Sequence, residues 1–219
     1  MKTRILLAGA TGLVGAGALI ELAAMGNADL HALRRSAHAA MPVGVSDHLA
    51  DSANWPALVA QIKPDVVIST LGTTMKKAGS QAAFRAVDHD LVLALAKAAR
   101  QAGARQFISV SSVGASASSS NFYLRTKGEV EEALRALDFE RLDILQPGLL
   151  VGDRAAEQRF GERLGILLSP LTDMLMIGGL ARYRSIPAAK VSQAIVTLAL
   201  GGGHGRFIHD NDRIRTLAG

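Results

Sequence analysis

Tyr123 and Lys127 are four residues apart in a stretch of helical character, and they are the residues of this sequence best suited to proton transfer. Residues at this spacing project from the same face of a helix. A phenol in water has a pKa of about 10, so a tyrosine that protonates an oxygen near neutral pH needs a positive charge beside it, which an ammonium group supplies. The alternative is an ordinary exposed helix face, because this spacing also occurs by chance.

Two serines precede this pair at the end of an apolar run. Ser111 and Ser112 follow residues 106–110, which read as a buried strand. A hydroxyl group at this place is expected to reach the same carbonyl oxygen as the phenol. We choose Ser112 for this role and hold Ser111 in reserve, while a local turn or a cap is the alternative for either.

The glycine-rich segment of residues 9–15, GATGLVG, lies between a predicted strand and a predicted helix that ends near Met25. Glycine permits a tight turn, lets the backbone approach a pyrophosphate, and lets the helix pack closely on the sheet. The free amide groups of the helix N-terminus then favour the phosphates. The predicted dinucleotide contacts are Gly9, Thr11, Gly12, Leu13, Val14 and Gly15. The alternative is a glycine-rich turn without a ligand.

Cofactor choice depends on the end of the second predicted strand, where Arg34 and Arg35 stand. A site specific for NAD(H) would offer a carboxylate to the ribose hydroxyl groups at this place. A guanidinium group instead matches a 2′-phosphate in charge and geometry. We therefore predict NADP(H), with NAD(H) disfavoured, and the alternative is two solvated surface arginines.

Two further segments are predicted to contact the dinucleotide. Asp47 follows the presumed third strand and is a candidate acceptor for the adenine amino group, with helix capping as an equal alternative. The fourth predicted strand ends in Leu71, Gly72 and Thr73, where the glycine would keep the backbone close to the cofactor.

The elements that position these residues alternate short apolar runs with helical stretches. This pattern predicts the α/β class, a doubly wound and mostly parallel sheet in a single domain of residues 1–219. We expect a core to about residue 150, a substrate-covering segment at about 151–184, and a helix, strand and helix in 185–219. The long central helix is predicted from about residue 80 to 101. The many apolar residues of 164–176 suggest an apolar substrate, with a core or subunit contact as an equal alternative.

Composition narrows the function classes. The chain has no cysteine, which excludes disulfides and thiolate chemistry and fits a cytoplasmic location. Its net charge is +5, but lysine and arginine are dispersed, so we expect no nucleic-acid partner. The apolar runs are interrupted or short, so we expect no secretion signal and no membrane span. The six histidines show no ligand spacing, and no metal is expected.

The chain resembles the atypical short-chain dehydrogenase/reductases, and within them the branch of the Tat-interacting oxidoreductase-like proteins. The segments that carry the resemblance span nearly the whole chain: GATGLVG at 9–15, LGTT at 71–74, KAG at 77–79, SSNFYLRTKGEVE at 119–131 and PGLLVGDR at 147–154. The resemblance implies a Rossmann fold with a nicotinamide cofactor and a Ser/Tyr/Lys site carried onto Ser112, Tyr123 and Lys127. It also implies that Pro147 and Leu149 line the nicotinamide end. Many relatives place an Asn on the central helix where this chain offers Asp88, which leaves the proton route open.

We therefore predict an NADP(H)-dependent oxidoreductase that transfers a hydride to or from a small carbonyl or alcohol substrate. A cofactor-binding regulatory or scaffold protein with little turnover is the alternative from another class. Sugar-nucleotide epimerisation or dehydration is less favoured, because about 70 residues after Gly148 are few for the larger substrate domain that such enzymes use. A homodimer or a protein partner is left open.

Overall fold

A computed structural model describes residues 2–37, 40–152 and 183–219. Its strands are β1 (Thr3–Ala8), β2 (Ala28–Arg34), β3 (Val45–Leu49), β4 (Val66–Ser69), β5 (Gln106–Val110), β6 (Arg141–Leu145), β7 (Leu150–Val151), β8 (Ile186–Pro187) and β9 (Gly205–His209). Its α-helices are α1 (Leu13–Met25), α2 (Trp55–Ile62), α3 (Met75–Ala78), α4 (Gln81–Arg85), α5 (Val92–Gln101), α6 (Phe122–Arg135), α7 (Ala188–Leu200) and α8 (Asn211–Leu217). A 3-10 turn (Ser52–Asn54) and a π-helical segment (Ala86–Leu91) complete the described elements.

Seven strands form one parallel sheet in the order β3-β2-β1-β4-β5-β6-β9. The central strands β1 and β4 are covered on both faces, which is why their apolar residues run without polar alternation. The predicted α/β fold with a doubly wound parallel sheet is confirmed. The carboxyl ends of all seven strands meet at one edge, where such sheets bind ligands.

Two apolar layers cover the sheet. Helices α1, α7 and α8 pack on one face, and helices α2, α5 and α6 pack on the other. The C-terminal region takes part in this core, because β9 completes the sheet and α7 lies against α1. Ser192 of α7 donates a hydrogen bond of 2.8 Å to the Val14 carbonyl, and a Cβ atom on Gly17 would lie only 2.6 Å from the Ser192 oxygen.

Two elements differ from the sequence-based expectation. The third strand is expected to end before Asp47, but β3 spans Val45–Leu49 and includes Asp47, and Gly44 turns the chain with a φ of 85° just before it. The predicted continuous helix of residues 80–101 is divided into α4, a π-helical segment and α5. A π-helical turn accommodates one extra residue, so it shifts the face that the following side chains present.

Among the described residues, no helix has both the length and the apolar character that crossing a bilayer requires.

Gly128 of α6 packs against the backbone of the loop that follows β5. A Cβ atom at this position would lie 2.1 Å from the Ser116 carbonyl carbon and 2.2 Å from the Ala117 nitrogen. Both atoms are backbone, so neither moves without shifting the chain. A glycine directly after Lys127 therefore sets how near the serine-containing loop lies to α6.

Gly128→Ala is expected to lower the free energy of unfolding by about 2–3 kcal/mol, since the added methyl group forces backbone out of a close-packed position. Gly202→Ala is the matched control, because nothing lies within 4 Å of a Cβ atom there and the φ of Gly202 is not positive. Urea denaturation measures both variants. Equal stability of the two variants would contradict the steric argument.

Candidate functional site

The glycine loop connects β1 to α1 at the carboxyl edge of the sheet. Gly9 has a φ of 94°, and its carbonyl accepts the Gly12 amide hydrogen at 2.9 Å. A Cβ atom on Gly15 would lie 2.3 Å from the Gly9 oxygen and 2.4 Å from the Thr70 hydroxyl. The loop therefore sits directly on the ends of β1 and β4, and only glycine fits at these two positions.

The N-terminus of α1 lies at this edge, and its first residues are exposed within the part of the chain that the structure describes. Gly12 is the N-cap residue and forms no side-chain cap, while Thr11 and Gly12 are exposed. Leu13 is half-buried and Val14 is buried. The first amide groups of the helix are thus available to an anion, which is the arrangement that the dinucleotide prediction requires.

The loop after β4 contacts a buried carboxylate. Leu71 is buried and Gly72 is exposed, and the Thr73 amide donates a hydrogen bond of 2.7 Å to the Asp88 carboxylate. Asp88 is 1% exposed and also lies 2.8 Å from the Lys127 ammonium group. The predicted cofactor loop and the predicted catalytic lysine are therefore joined through one side chain.

Helix α6 presents the predicted proton-transfer pair. Asn121 caps the helix by accepting the Leu124 amide hydrogen at 3.1 Å, which fixes the turn that carries Tyr123. The Tyr123 ring lies against the fully buried Phe84, with ring centroids 5.7 Å apart. Lys127 is buried one turn further along the same face. Sequence reasoning missed Phe84, whose only sign was an aromatic residue in a chain with few of them.

The two candidate serines have different partners. The Ser111 hydroxyl donates a hydrogen bond of 2.5 Å to Glu131, whose carboxylate also accepts from Gln146 at 2.8 Å. Glu131 is 3% exposed, so this network lies within the protein. The Ser112 hydroxyl makes only a long contact of 3.4 Å with the Val113 carbonyl. Of the two, Ser112 is the hydroxyl that a substrate could engage without breaking a short hydrogen bond.

Arg34 and Arg35 lie at the carboxyl end of β2 in different environments. The Arg34 guanidinium forms a bidentate contact with Asp47 of β3, with Nε 2.7 Å from Oδ1. This hydrogen bond from Arg34 lowers the pKa of the Asp47 carboxyl group. Arg35 is exposed, and its guanidinium has no hydrogen bond or ion pair among the described residues. Both carboxylate oxygens of Asp47 accept hydrogen bonds from Arg34. The predicted contact of Asp47 with an adenine amino group stays a prediction.

The segment after β6 reaches the start of α1, since a Cβ atom on Gly152 would lie 3.1 Å from the Leu13 side chain. Pro147 is buried and Leu149 is 50% exposed. The Gly148 amide donates to the buried Asn211 side chain at 3.1 Å, which in turn donates to the Arg184 carbonyl at 2.9 Å. Asn211 thus joins three distant segments, and no sequence pattern identified it.

Tyr183 brings a second phenol near the candidate site. A Cβ atom on Gly114 would lie 3.7 Å from the Tyr183 hydroxyl and 3.7 Å from the Leu124 side chain. Tyr183 therefore borders the loop that carries Ser112. The remainder of the predicted substrate-covering segment, including its apolar residues of 164–176, lies outside the described residues. Within the described ranges, no cluster of His, Asp and Glu is arranged to hold a metal ion.

Comparison with known proteins identifies relatives of this chain. The family model described as HIM1 matches residues 51–165. The mitochondrial protein FMP52 of Eremothecium gossypii is 38% identical over 89% of this chain and 88% of its own length. The mitochondrial FMP52 of Coccidioides immitis is 37% identical over 71% of this chain, but the match spans only 63% of that relative.

Solved structures share the fold at low sequence identity. UDP-glucose 4-epimerase of Thermotoga maritima, solved with UDP-glucose, has a TM-score of 0.72 and 14% identity, over 95% of this chain and 77% of its own. The UDP-glucose 4-epimerase of Thermus thermophilus, solved with NAD, has a TM-score of 0.70 and 17% identity, over 99% of this chain and 81% of its own. These likenesses establish the Rossmann-type fold.

The predicted cytoplasmic location is wrong in the light of these relatives, which are named mitochondrial proteins. The prediction rested on the absence of cysteine. A cysteine-free chain has no thiol whose state would depend on the compartment, so composition could not distinguish the cytoplasm from a mitochondrion.

The different partners of the two serines generate a stability prediction. Ser111→Ala is expected to lower the free energy of unfolding by about 1–2 kcal/mol, because Glu131 loses a hydrogen bond from a partly buried donor. Ser112→Ala serves as the matched control, with a change within about 0.5 kcal/mol. Thermal and urea denaturation measure both. If Ser112→Ala lost more free energy of unfolding than Ser111→Ala, Ser112 and not Ser111 would be the serine that stabilises the fold.

Proposed function

This chain belongs to the family of the FMP52 proteins, and we propose that it is an NADP(H)-dependent oxidoreductase acting on a small carbonyl or alcohol. The Rossmann-type sheet is the premise, and the reaction, the choice of NADP(H) and the substrate class are proposals. The narrower placement in the Tat-interacting branch is also a proposal, resting on the shared segments quoted above.

One observation carries the proposal. Lys127 is buried next to the loop that ends β4: a Cβ atom on Gly72 would lie 3.9 Å from the Lys127 ammonium nitrogen. Tyr123 lies one helical turn before this lysine. These positions support a joint action of the ammonium and the phenol at the carboxyl edge of the parallel sheet, where ligands of such folds bind.

The residues present fit a dinucleotide. Gly9 and Gly15 let the loop pack against Thr70, whose hydroxyl oxygen would lie 2.4 Å from a Cβ atom on either residue. This packing places the N-terminus of α1, which has no side-chain cap, at the carboxyl edge of the sheet. When bound, a nicotinamide dinucleotide supplies or accepts the hydride. Because Gly72 is exposed and has no side chain, the dinucleotide could approach the backbone there. Pro147 and Leu149 would border its nicotinamide end.

The side chains have separate tasks in the proposed reaction. Tyr123 gives its phenolic proton to the carbonyl oxygen in reduction and takes it back in oxidation. Lys127 stabilises the phenolate that remains and binds the ribose hydroxyl groups, which orients the cofactor. Ser112 donates a hydrogen bond to the same carbonyl oxygen, and Ser111 stays bound to Glu131.

Two alternatives remain distinct in their chemistry. A regulatory or scaffold protein would bind the dinucleotide without consuming it across a panel of aldehydes, ketones and quinones. A sugar-nucleotide epimerase would return the hydride to its substrate, so the absorbance of free NADPH would not change. Net NADPH consumption with a carbonyl compound is therefore the result that favours our proposal over both.

Tyr123→Phe is expected to reduce carbonyl-dependent NADPH oxidation by about 100- to 10,000-fold, because general acid catalysis contributes in this range. Absorbance at the NADPH band measures the rate, and fluorescence titration checks that NADPH still binds. Tyr183→Phe is the matched control, since these are the two tyrosines of the chain. If turnover survives in Tyr123→Phe and disappears in Tyr183→Phe, the proton donor is Tyr183 and our assignment is wrong.

Cofactor preference is tested through the two arginines. Arg35→Ala removes an exposed guanidinium, and Arg34→Ala leaves the Asp47 carboxylate facing the 2′-phosphate. Each substitution is expected to raise the Kd of NADPH about 10- to 100-fold, because this is the effect of losing one hydrogen bond to a charged group. The Kd of NADH should change little. Arg206→Ala, at the opposite edge of the sheet, is the control. Equal affinity of the wild type for NADH and NADPH would refute the NADP(H) assignment.

A further inference from the structure

The Asp88 carboxylate is a buried charge to which the proposed reaction gives no task. It is 1% exposed, and a carboxylate removed from water is unfavourable unless charged or hydrogen-bonding partners compensate. Its two oxygens have different partners. Oδ1 lies 2.8 Å from the Lys127 ammonium nitrogen, and Oδ2 accepts the Thr73 amide hydrogen at 2.7 Å.

The Gly72 backbone, directly before Thr73, packs against the ion pair of Asp88 and Lys127. A Cβ atom on Gly72 would lie 3.4 Å from Asp88 Oδ1. Gly72 and Thr73 belong to the loop after β4 that is exposed at the carboxyl edge. Asp88 therefore contacts both the predicted cofactor loop and the predicted catalytic lysine.

Asp88 belongs to the π-helical segment of residues 86–91. Its neighbour Asp90 projects to the surface with a side chain that is 63% exposed. The extra residue of a π-turn changes which side chains face the sheet, and such turns recur at functional sites. The carboxylate that meets Lys127 thus comes from the local break in the helix.

We propose that Asp88 is a positioning residue that couples the dinucleotide loop to Lys127. The inference rests on the proposed function, which places a dinucleotide against this loop and this lysine. The carboxylate holds the ammonium group where it meets the ribose and holds the Thr73 amide so that the loop keeps its shape. Asp88 acts through these two partners and does not itself touch the substrate.

Two substitutions separate the two contacts. In Asp88→Asn the amide oxygen still accepts the Thr73 amide hydrogen, but Lys127 loses its anionic partner and meets a second donor. In Asp88→Ala both contacts disappear. The asparagine variant therefore acts through Lys127 alone, whereas the alanine variant also releases the loop.

The test is a thermodynamic cycle on the Kd of NADPH, measured by fluorescence titration of the full chain. Lys127→Met is expected to raise the Kd about tenfold, and Asp88→Asn should raise it similarly. In the Lys127→Met background, Asp88→Asn should change the Kd by less than about twofold, while Asp88→Ala still raises it. Equal effects of Asp88→Asn in both backgrounds, or no effect in the wild-type background, overturn the proposal.

Asp90→Asn is the matched control, because it makes the same change two residues away on an exposed side chain. It should leave the Kd unchanged. Wild-type protein that binds neither NADPH nor NADH overturns the proposed function and this inference together. Tight NADPH binding with an additive cycle overturns the inference alone.

Amide exchange supplies a measurement that does not depend on folding of the variants. In ¹⁵N-labelled wild type, the Thr73 amide hydrogen should exchange slowly with solvent although its residue lies in an irregular segment, because it is held by a buried carboxylate. Addition of NADPH should slow the exchange further. Rapid exchange in the free protein, unchanged by NADPH, would show that Asp88 does not hold the loop.

Discussion

The contact between the Lys127 ammonium and the Asp88 carboxylate is the interaction on which the candidate site depends. Both groups are buried, and neither would be stable there as a charge without the other. The pair joins α6 to the π-helical segment of the central helix, and through Thr73 it reaches the loop after β4. Three elements that are distant in sequence are thereby fixed at the carboxyl edge of the sheet. A buried pair of this kind adds little net stability, but it specifies one arrangement of its surroundings.

Close backbone packing is the second constraint on the same region. Gly15 allows α1 to approach the ends of β1 and β4, and Gly128 allows the loop of residues 116–117 to cross α6. Both positions lie where a helix meets a loop of the candidate site. Because interiors are packed nearly without voids, a single methyl group at either place displaces backbone. The geometry of the site is therefore set by the absence of side chains as much as by the groups that do chemistry.

The fold and much of the candidate site could be predicted from the sequence, because local rules determine them. Buried parallel strands are continuous apolar runs, and the loop of residues 9–15 follows the first of them directly. The network around Ser111 could not be predicted, because its acceptor Glu131 comes from α6 and the second donor to Glu131, Gln146, is the residue after β6. The π-helical break was also missed, because its residues are compatible with a regular helix and the contacts of Asp88 with Lys127 and Thr73 come from distant parts of the chain.

Charge balance limits how this site can hold an anionic ligand. The charge of Lys127 is offset by Asp88, and that of Arg34 is offset by Asp47, so neither cation brings an uncompensated charge to the edge of the sheet. Attraction for a pyrophosphate then has to come from the first amide groups of α1, which carry the positive end of the helix dipole. The exposed Arg35 remains as the guanidinium at the end of β2 whose charge no described residue offsets. Direct contact with a 2′-phosphate would thus fall to the solvated Arg35, where screening by salt is strongest, while Arg34 would act by neutralising the Asp47 carboxylate.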